Sequence, residues 1–231
     1  MHKQLILIGS IPAIIWGTPS SNVYIFVHGR MSQKEDAEKF ATMAERKGYQ
    51  TLSFDLPEHG ERKSEKYPCN IQNGVHDLRV ISDYATGKWR TMALFGNSLG
   101  AYFSLAAYQN LKFARCLFLS PILDMEYLIQ NMMARFNITE DLLKEKQEIP
   151  TPMGETLSWA YYTYVQENPI ARWGSPTYVL YGSNDDLTEK YIVDSFVTKF
   201  HCHLEVLQNG EHYFHTDEQL DVVNKWVNNY A

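Results

Sequence analysis

The sequence has 231 residues, with no long apolar run and no excess of positive charge. A membrane-spanning helix needs about 18 consecutive apolar residues, and the apolar N-terminal segment is interrupted by Gly9, Ser10 and Pro12. The 27 acidic residues outnumber the 21 basic ones, which are scattered, so the formal net charge is −6. We therefore expect neither a membrane span nor a nucleic-acid partner. The N-terminal segment also lacks a small-x-small cleavage site, so we predict two short strands there instead of a signal peptide.

Cysteine is scarce, and its spacing matches no known framework. Cys69, Cys116 and Cys202 are an odd number, far apart, and form no CxxC or Cys/His ligand pattern. This usage is typical of a reducing compartment, and we expect a cytoplasmic protein with neither disulfides nor a zinc site. Four histidines lie near the C-terminus: His201, His203, His212 and His215. No carboxylate or cysteine completes a metal-ligand set with them, so we expect no metal and no other cofactor.

Short β-rich runs alternate with helical patterns along most of the chain. Continuous apolar strands separated by amphipathic helices predict an α/β fold, with a mostly parallel sheet covered by helices on both faces. The two N-terminal runs predict antiparallel strands at one edge, where Pro12 is tolerated. The length predicts a single domain over residues 1–231. The predicted core strands are residues 23–27, 51–55, 91–95, 116–120, 177–181 and 203–207.

Helix caps and one insertion complete this prediction. Thr216 begins a capping-box pattern at the start of the last predicted helix. Thr188 is expected to cap the preceding helix, which follows the predicted strand 177–181. Residues of about 122–174 interrupt the alternation with two helical patterns and no strand, which predicts a small helical cap inserted over one end of the sheet. Met125, Trp159 and Tyr162 of this insertion are candidate substrate contacts, although such Met and aromatic stripes are more often the insertion's own core.

The segment "GNSLG", residues 96–100, places Ser98 between a predicted buried strand and a predicted helix. The G-x-S-x-G pattern at such a junction is typical of a nucleophile elbow, a strained turn that exposes the serine at the carboxyl edge of a sheet. A helix N-terminus beneath it favours developing negative charge. The alternative is that Ser98 only caps the helix.

A serine nucleophile requires a base, and the base requires an acid. His212 lies in the predicted loop before the last helix, and Asp185 lies just after a predicted strand, in the chain order Ser, Asp, His. Asp186 is an alternative acid and His215 a weaker alternative base.

With these motifs the chain resembles the α/β-hydrolase family from about Val23 to the C-terminus. "GNSLG", "YGSND" and "GEHYF" match the family's nucleophile, acid and histidine segments, and "VHGR" matches its oxyanion-loop signature. "FDLPEHGER" is similar to its Asp-x-x-Gly-His-Gly segment, with Glu58 in place of the usual glycine.

The resemblance implies an oxyanion hole made by the backbone N–H groups of Arg30 and Leu99. The Arg30 side chain is expected to be solvated or paired locally, and His28, Asp55 and His59 are expected to support the neighbouring loops. The implied activity is hydrolysis of a small-molecule carboxylic ester. A thioesterase, peptidase or acyltransferase with the same residues remains an alternative, as does a non-catalytic binding protein.

Overall fold

The structure is a computed structural model, and it describes residues 1–152 and 154–231. Its main sheet has eight strands in the order β1-β2-β4-β3-β5-β6-β9-β10, and β7 and β8 form a separate hairpin. The strands are β1 (Lys3–Ile8), β2 (Ile11–Trp16), β3 (Asn22–Val27), β4 (Gln50–Phe54), β5 (Thr91–Asn97), β6 (Cys116–Leu119), β7 (Glu148–Pro150), β8 (Thr156–Ser158), β9 (Thr177–Gly182) and β10 (His203–Leu207).

Helices connect the parallel strands. None of the helices among the described residues is long and apolar enough to cross a bilayer. The helices are α1 (Glu38–Arg46), α2 (Ile71–Lys88), α3 (Leu99–Ala107), α4 (Met125–Arg135), α5 (Glu140–Lys146), α6 (Trp159–Glu167), α7 (Lys190–Phe200) and α8 (Asp217–Tyr230).

The sheet is parallel from β4 through β10 and antiparallel at the β1 edge, as the sequence predicts. β1 pairs with β2, and β2 pairs with β4, in antiparallel register. The other pairs of the main sheet are parallel. Pro12 lies in β2, opposite Leu7 of β1, and β2 is not the edge strand because it pairs with β4 on its other side. The β2–β4 register begins only at Ala13, so Pro12 stands near the start of the strand, outside that ladder, where a missing N–H is tolerated.

Two apolar cores cover the two faces of the sheet. α1 and α8 pack on one face through residues such as Phe40 and Trp226. α2, α3 and α7 pack on the other face, together with residues of the insertion. Because helices cover both faces, the central strands are apolar on both sides, which explains why their sequences are continuous apolar runs instead of alternating patterns.

Two local predictions need correction. The segment between β6 and β9, which we call the insertion, contains three helices and the β7–β8 hairpin among its described residues, not two helical patterns without a strand. The hairpin strands have three residues each, too few to show a period-two pattern. Thr188 does not cap α7: the residue at the N-cap is Glu189, and the Thr188 hydroxyl donates instead to the Pro121 carbonyl at 3.1 Å. The capping box at Thr216 is confirmed.

The contact between α2 and α3 predicts opposite effects for two glycine substitutions in one helix. A Cβ on Gly74 would lie 2.5 Å from the ring of Phe103, whereas a Cβ on Gly87 would meet nothing within 4 Å. The Phe103 side chain is fully buried, so the added methyl group can be accommodated only if the core shifts. We expect Gly74→Ala to lower the free energy of unfolding by about 1–3 kcal/mol and Gly87→Ala to raise it by about 0.5–1 kcal/mol.

Urea denaturation of both variants measures these changes. Gly87→Ala is the matched control, because it makes the same chemical change in α2 away from the helix contact. Equal stabilities of the two variants would contradict the close approach of α2 and α3 at Gly74.

Candidate active site

Ser98 lies at the tip of a sharp turn between β5 and α3. Its backbone has φ 49° and ψ −115°, a left-handed conformation that costs a residue other than glycine about 1–3 kcal/mol. Hydrogen bonds on both sides hold the turn: the Ser98 N–H donates to the Leu119 carbonyl at 3.0 Å, and the Ser98 carbonyl accepts from the Ile122 N–H at 3.3 Å. The Ser98 side chain makes no capping hydrogen bond, so capping α3 does not explain the serine.

Gly100 lets the first turn of α3 approach the end of β3. A Cβ at this position would collide with the carbonyl oxygens of Val27 and His28. The same packing brings the chain after β3 close to Ser98, since a Cβ on Gly29 would lie 3.3 Å from the Cβ of Ser98. Gly100 therefore allows the turn at Ser98 and the loop after β3 to pack together at the carboxyl edge of the sheet.

This place is also where the order of the strands reverses. β4 and β5 follow each other in the chain but lie on opposite sides of β3. In open α/β sheets such a reversal leaves a crevice outside the carboxyl ends of the two strands, where ligands bind. Ser98 follows β5 and the His28–Arg30 segment follows β3, so both line this crevice.

His212 contacts both Ser98 and Asp185. Its Nε2 lies 2.8 Å from the Ser98 Oγ, and its Nδ1 lies 2.7 Å from the Asp185 Oδ2. An ionised carboxylate only accepts hydrogen bonds, so it fixes the imidazole proton on Nδ1. The Nε2 is then left to accept the Ser98 hydroxyl proton, which is the arrangement that a general base requires.

Asp185, not Asp186, faces the imidazole. The Asp185 side chain has 0% exposure, and its Oδ1 accepts the N–H groups of Leu187 and Thr188, each at 2.9 Å. Asp186 is exposed on the same turn. The carboxylate beside the histidine is thus held in one orientation by backbone donors on one oxygen and by His212 on the other.

The alternative histidine, His215, has other partners. It is exposed, and its Nδ1 donates to the Tyr213 carbonyl at 2.9 Å and lies 3.3 Å from a carboxylate oxygen of Glu211. Of the two histidines in this loop, the structure brings His212 to Ser98.

Two backbone N–H groups beside Ser98 have no acceptor among residues 1–152 and 154–231. They belong to Leu99, the first residue of α3, and to Arg30, in the loop after β3. The exposed Arg30 side chain forms an ion pair with Glu155 of the insertion, so it is paired locally, as expected. Leu99 is buried, and a buried N–H is normally satisfied, whereas Arg30 is exposed. Two free donors near one hydroxyl can bind a single oxyanion.

His28 is buried and connects two loops at the crevice. Its Nδ1 donates to the Gly29 carbonyl at 2.7 Å, and its Nε2 accepts the Leu56 N–H at 3.1 Å. Burial is the main cause that lowers the pKa of His28 to about 4. The imidazole is therefore neutral at physiological pH, in the tautomer that both bonds require.

A buried ion cluster lies beneath the same loops, and of its members the sequence predicts a supporting role only for Asp55. Asp55 is fully buried and accepts the Lys34 N–H at 2.9 Å, the Lys34 Nζ at 2.8 Å and the Glu61 N–H at 3.0 Å. Arg62, also buried, bonds Asp77 at 2.6 Å. Lys34 and Arg62 stand in polar segments that resemble ordinary surface sequence, so only the tertiary pairing reveals that they are buried.

The three candidate substrate contacts of the insertion have different environments. Met125 lines a cavity of about 320 Å³ beside Tyr102 and Leu123. Trp159 is half-buried and packs against Tyr162, with ring centroids 5.9 Å apart. Tyr162 has 0% exposure, and its hydroxyl bonds Glu140 and Gln130. Tyr162 is therefore a core residue of the insertion and not a substrate contact, since it offers no surface to a ligand.

Solved structures with the same architecture cover almost the whole chain. Est1E from Butyrivibrio proteoclasticus, solved with ferulic acid bound, has a TM-score of 0.75 at 17% identity, over 98% of this chain and 96% of that one. A hydrolase from Agrobacterium vitis described as putative has a TM-score of 0.79 at 17% identity, over 98% and 97%. A monoacylglycerol lipase from Paleococcus ferrophilus has a TM-score of 0.68 at 17% identity, over 96% and 99%.

At the level of sequence the comparisons are negative. No model of a protein family matches the chain, and no curated protein matches it. The likeness therefore lies in the course of the backbone: an eight-stranded sheet with two antiparallel pairings at one edge, helices on both faces, and a sharp turn after β5. The chain has the α/β-hydrolase fold.

Proposed function

We propose that the protein is a serine hydrolase that cleaves a small-molecule carboxylic ester through an acyl-enzyme on Ser98. The observation that supports this most strongly is the continuous hydrogen-bonded line from the Ser98 hydroxyl through His212 to the buried Asp185, at 2.8 and 2.7 Å. Esterases and a lipase are among the proteins with the same fold, which favours an ester over other acyl compounds.

In the first half of the reaction Ser98 attacks the acyl carbon of the ester. His212 Nε2 takes the hydroxyl proton as the new C–O bond forms, and Asp185 stabilises the imidazolium that results. When the tetrahedral intermediate collapses, the same proton passes from His212 to the leaving alcohol oxygen. The acyl group stays on Ser98 as an ester.

The N–H groups of Leu99 and Arg30 bind the negative oxygen of the intermediate. Both are backbone donors held by the fold, so little reorganisation is needed when charge develops. A single donor of this kind is worth about 3 kcal/mol of transition-state stabilisation. The N-terminus of α3 adds a favourable partial positive charge next to Leu99.

Water completes the cycle by the same chemistry. His212 removes a proton from a water molecule, the hydroxide attacks the acyl carbon, and the same two N–H groups bind the second oxyanion. The proton then returns from His212 to the Ser98 oxygen, and the acid leaves. The nucleophile, the base and the oxyanion donors all come from the chain, so the proposed reaction needs no metal or organic cofactor.

The insertion supplies the surface over the substrate. Met125 remains a candidate contact for the acyl group. The cavity that it lines includes Tyr102, one helical turn after Ser98, but its lining does not include Ser98 or His212. Trp159 is a weaker candidate, since it packs on the insertion's own aromatic residues. Methionine and aromatic side chains suit an apolar acyl group of irregular shape.

Removing the Ser98 hydroxyl tests the proposal directly. We expect the wild type to hydrolyse p-nitrophenyl esters of some chain length, and we expect Ser98→Ala to lose at least about 10³-fold in kcat, as is usual when a nucleophilic serine is removed. Ser64→Ala is the matched control, because Ser64 is exposed in a loop, and it should retain wild-type rates. Full activity in Ser98→Ala would refute the mechanism; inactivity of the wild type on every ester would refute an ester substrate.

The two adjacent aspartates provide a second test. Asp185→Asn places an amide N–H against His212 Nδ1 and favours the wrong imidazole tautomer, so we expect kcat to fall by about 10³–10⁴-fold. Asp186→Asn, the control on the exposed neighbour, should stay within about threefold of wild type, as surface substitutions usually do. Steady-state kinetics of both variants on one ester shows which aspartate supports His212. A large loss in Asp186→Asn, or none in Asp185→Asn, would assign the acid differently.

A further inference from the structure

His59 forms a second connection between the two loops at the crevice. It lies in the loop after β4, nine-tenths buried at 7% exposure, and its ring centroid is 5.1 Å from that of His28. Its Nδ1 donates to the Pro57 carbonyl at 2.8 Å. Its Nε2 accepts the backbone N–H of Met31 at 3.2 Å. Met31 directly follows Arg30, so His59 bonds the chain one residue beyond a proposed oxyanion donor.

The two histidines hold the two peptide groups that flank the Arg30 Cα. His28 holds the Gly29 carbonyl, which belongs to the same planar peptide as the Arg30 N–H. In a trans peptide the C=O and N–H point in opposite directions, so this bond directs the Arg30 N–H toward the crevice. His59 holds the next peptide through the Met31 N–H, which prevents rotation of the backbone on the other side of Arg30.

The loop needs this second bond because Met31 is in an unfavourable conformation. Its φ is 61°, in the left-handed region that residues other than glycine seldom occupy. Its side chain is 92% exposed, so packing contributes little to holding it there. If its N–H lost this acceptor, we expect Met31 to relax to a negative φ. That change would rotate the peptide between Arg30 and Met31.

The protonation state of His59 fits an acceptor role. The Pro57 carbonyl can only accept, so the proton is on Nδ1 and Nε2 carries a lone pair. Burial is the main cause that lowers the pKa of His59 from its ordinary value, and the nearby Arg30 charge acts in the same direction. A neutral imidazole at this place is therefore the stable form.

We propose that His59 is a positioning residue of the oxyanion hole: its Nε2 fixes the Met31 peptide and thereby the direction of the Arg30 N–H. This inference rests on the proposed function. His59 touches neither the substrate nor Ser98 in the reaction; it acts through the loop. The two ring nitrogens make different hydrogen bonds, one to Pro57 and one to Met31. A substitution can therefore remove one bond and keep the other.

The test compares His59→Asn with His59→Gln. The shorter amide can replace Nδ1 as the donor to Pro57 but does not reach Met31, whereas the longer amide can offer its oxygen to the Met31 N–H. Loss of a whole oxyanion donor costs about 10²–10³ in kcat, so for a loosened donor we expect about a 10-fold fall in kcat for His59→Asn, with KM within about twofold of wild type. His59→Gln should keep at least about a third of the wild-type kcat.

Active sites are counted in every variant by complete labelling with a fluorophosphonate, so that kcat refers to folded protein alone. His76→Gln is the control, because His76 is exposed on α2, and it should behave as wild type. His59→Ala also lacks the acceptor and replaces His59→Asn if the latter does not fold.

The outcomes are distinct. A kcat per labelled site equal to wild type in the variants without the acceptor overturns the role of His59, and so does an equal loss in His59→Asn and His59→Gln. If wild-type Ser98 takes no label at all, the proposed function itself fails and the role of His59 with it.

Discussion

The left-handed backbone of Ser98 is the constraint on which the site depends. A serine at φ 49° is strained, and it stays there because α3 is packed against the end of β3, where Gly100 leaves room for two carbonyl oxygens. The turn places the hydroxyl above the carboxyl edge of the sheet and leaves the Leu99 N–H free at the start of α3. Relaxing the turn would move the proposed nucleophile and one proposed oxyanion donor together.

Around this turn, the loops after β3 and β4 are held together by hydrogen bonds between side chains and backbone. His28 of the first loop accepts from Leu56 of the second, and His59 of the second accepts from Met31 of the first. Asp55, fully buried, bonds both the Lys34 N–H and its ammonium group. Breaking a buried ion pair of this kind usually costs about 3–5 kcal/mol, because a charge is left without a partner. These reciprocal bonds let irregular backbone act as a rigid support for Arg30, as the β9 turn does for Asp185.

Sequence reasoning predicted the parts of this molecule that have strong local patterns. The core strands and their parallel order follow from apolar runs separated by amphipathic helices, and the turn at Ser98 follows from glycines at a strand-to-helix junction. The contact between Asp185 and His212 was a hypothesis from spacing, with Asp186 left open, because the position of a buried carboxylate depends on the course of a loop. The β7–β8 hairpin was missed because three-residue strands have no period, and the buried Lys34 and Arg62 were missed because burial of a charge is decided by distant partners.

A crystal structure of the protein after reaction with a fluorophosphonate bearing a short alkyl chain tests the central claim most directly. We expect a tetrahedral phosphorus bonded to the Ser98 Oγ in place of fluoride, with its phosphonyl (P=O) oxygen within hydrogen-bond distance of the N–H groups of both Arg30 and Leu99, and His212 still bonded to Asp185. An adduct on another residue, or a phosphonyl oxygen that points to solvent while those two N–H groups stay unpaired, would contradict it.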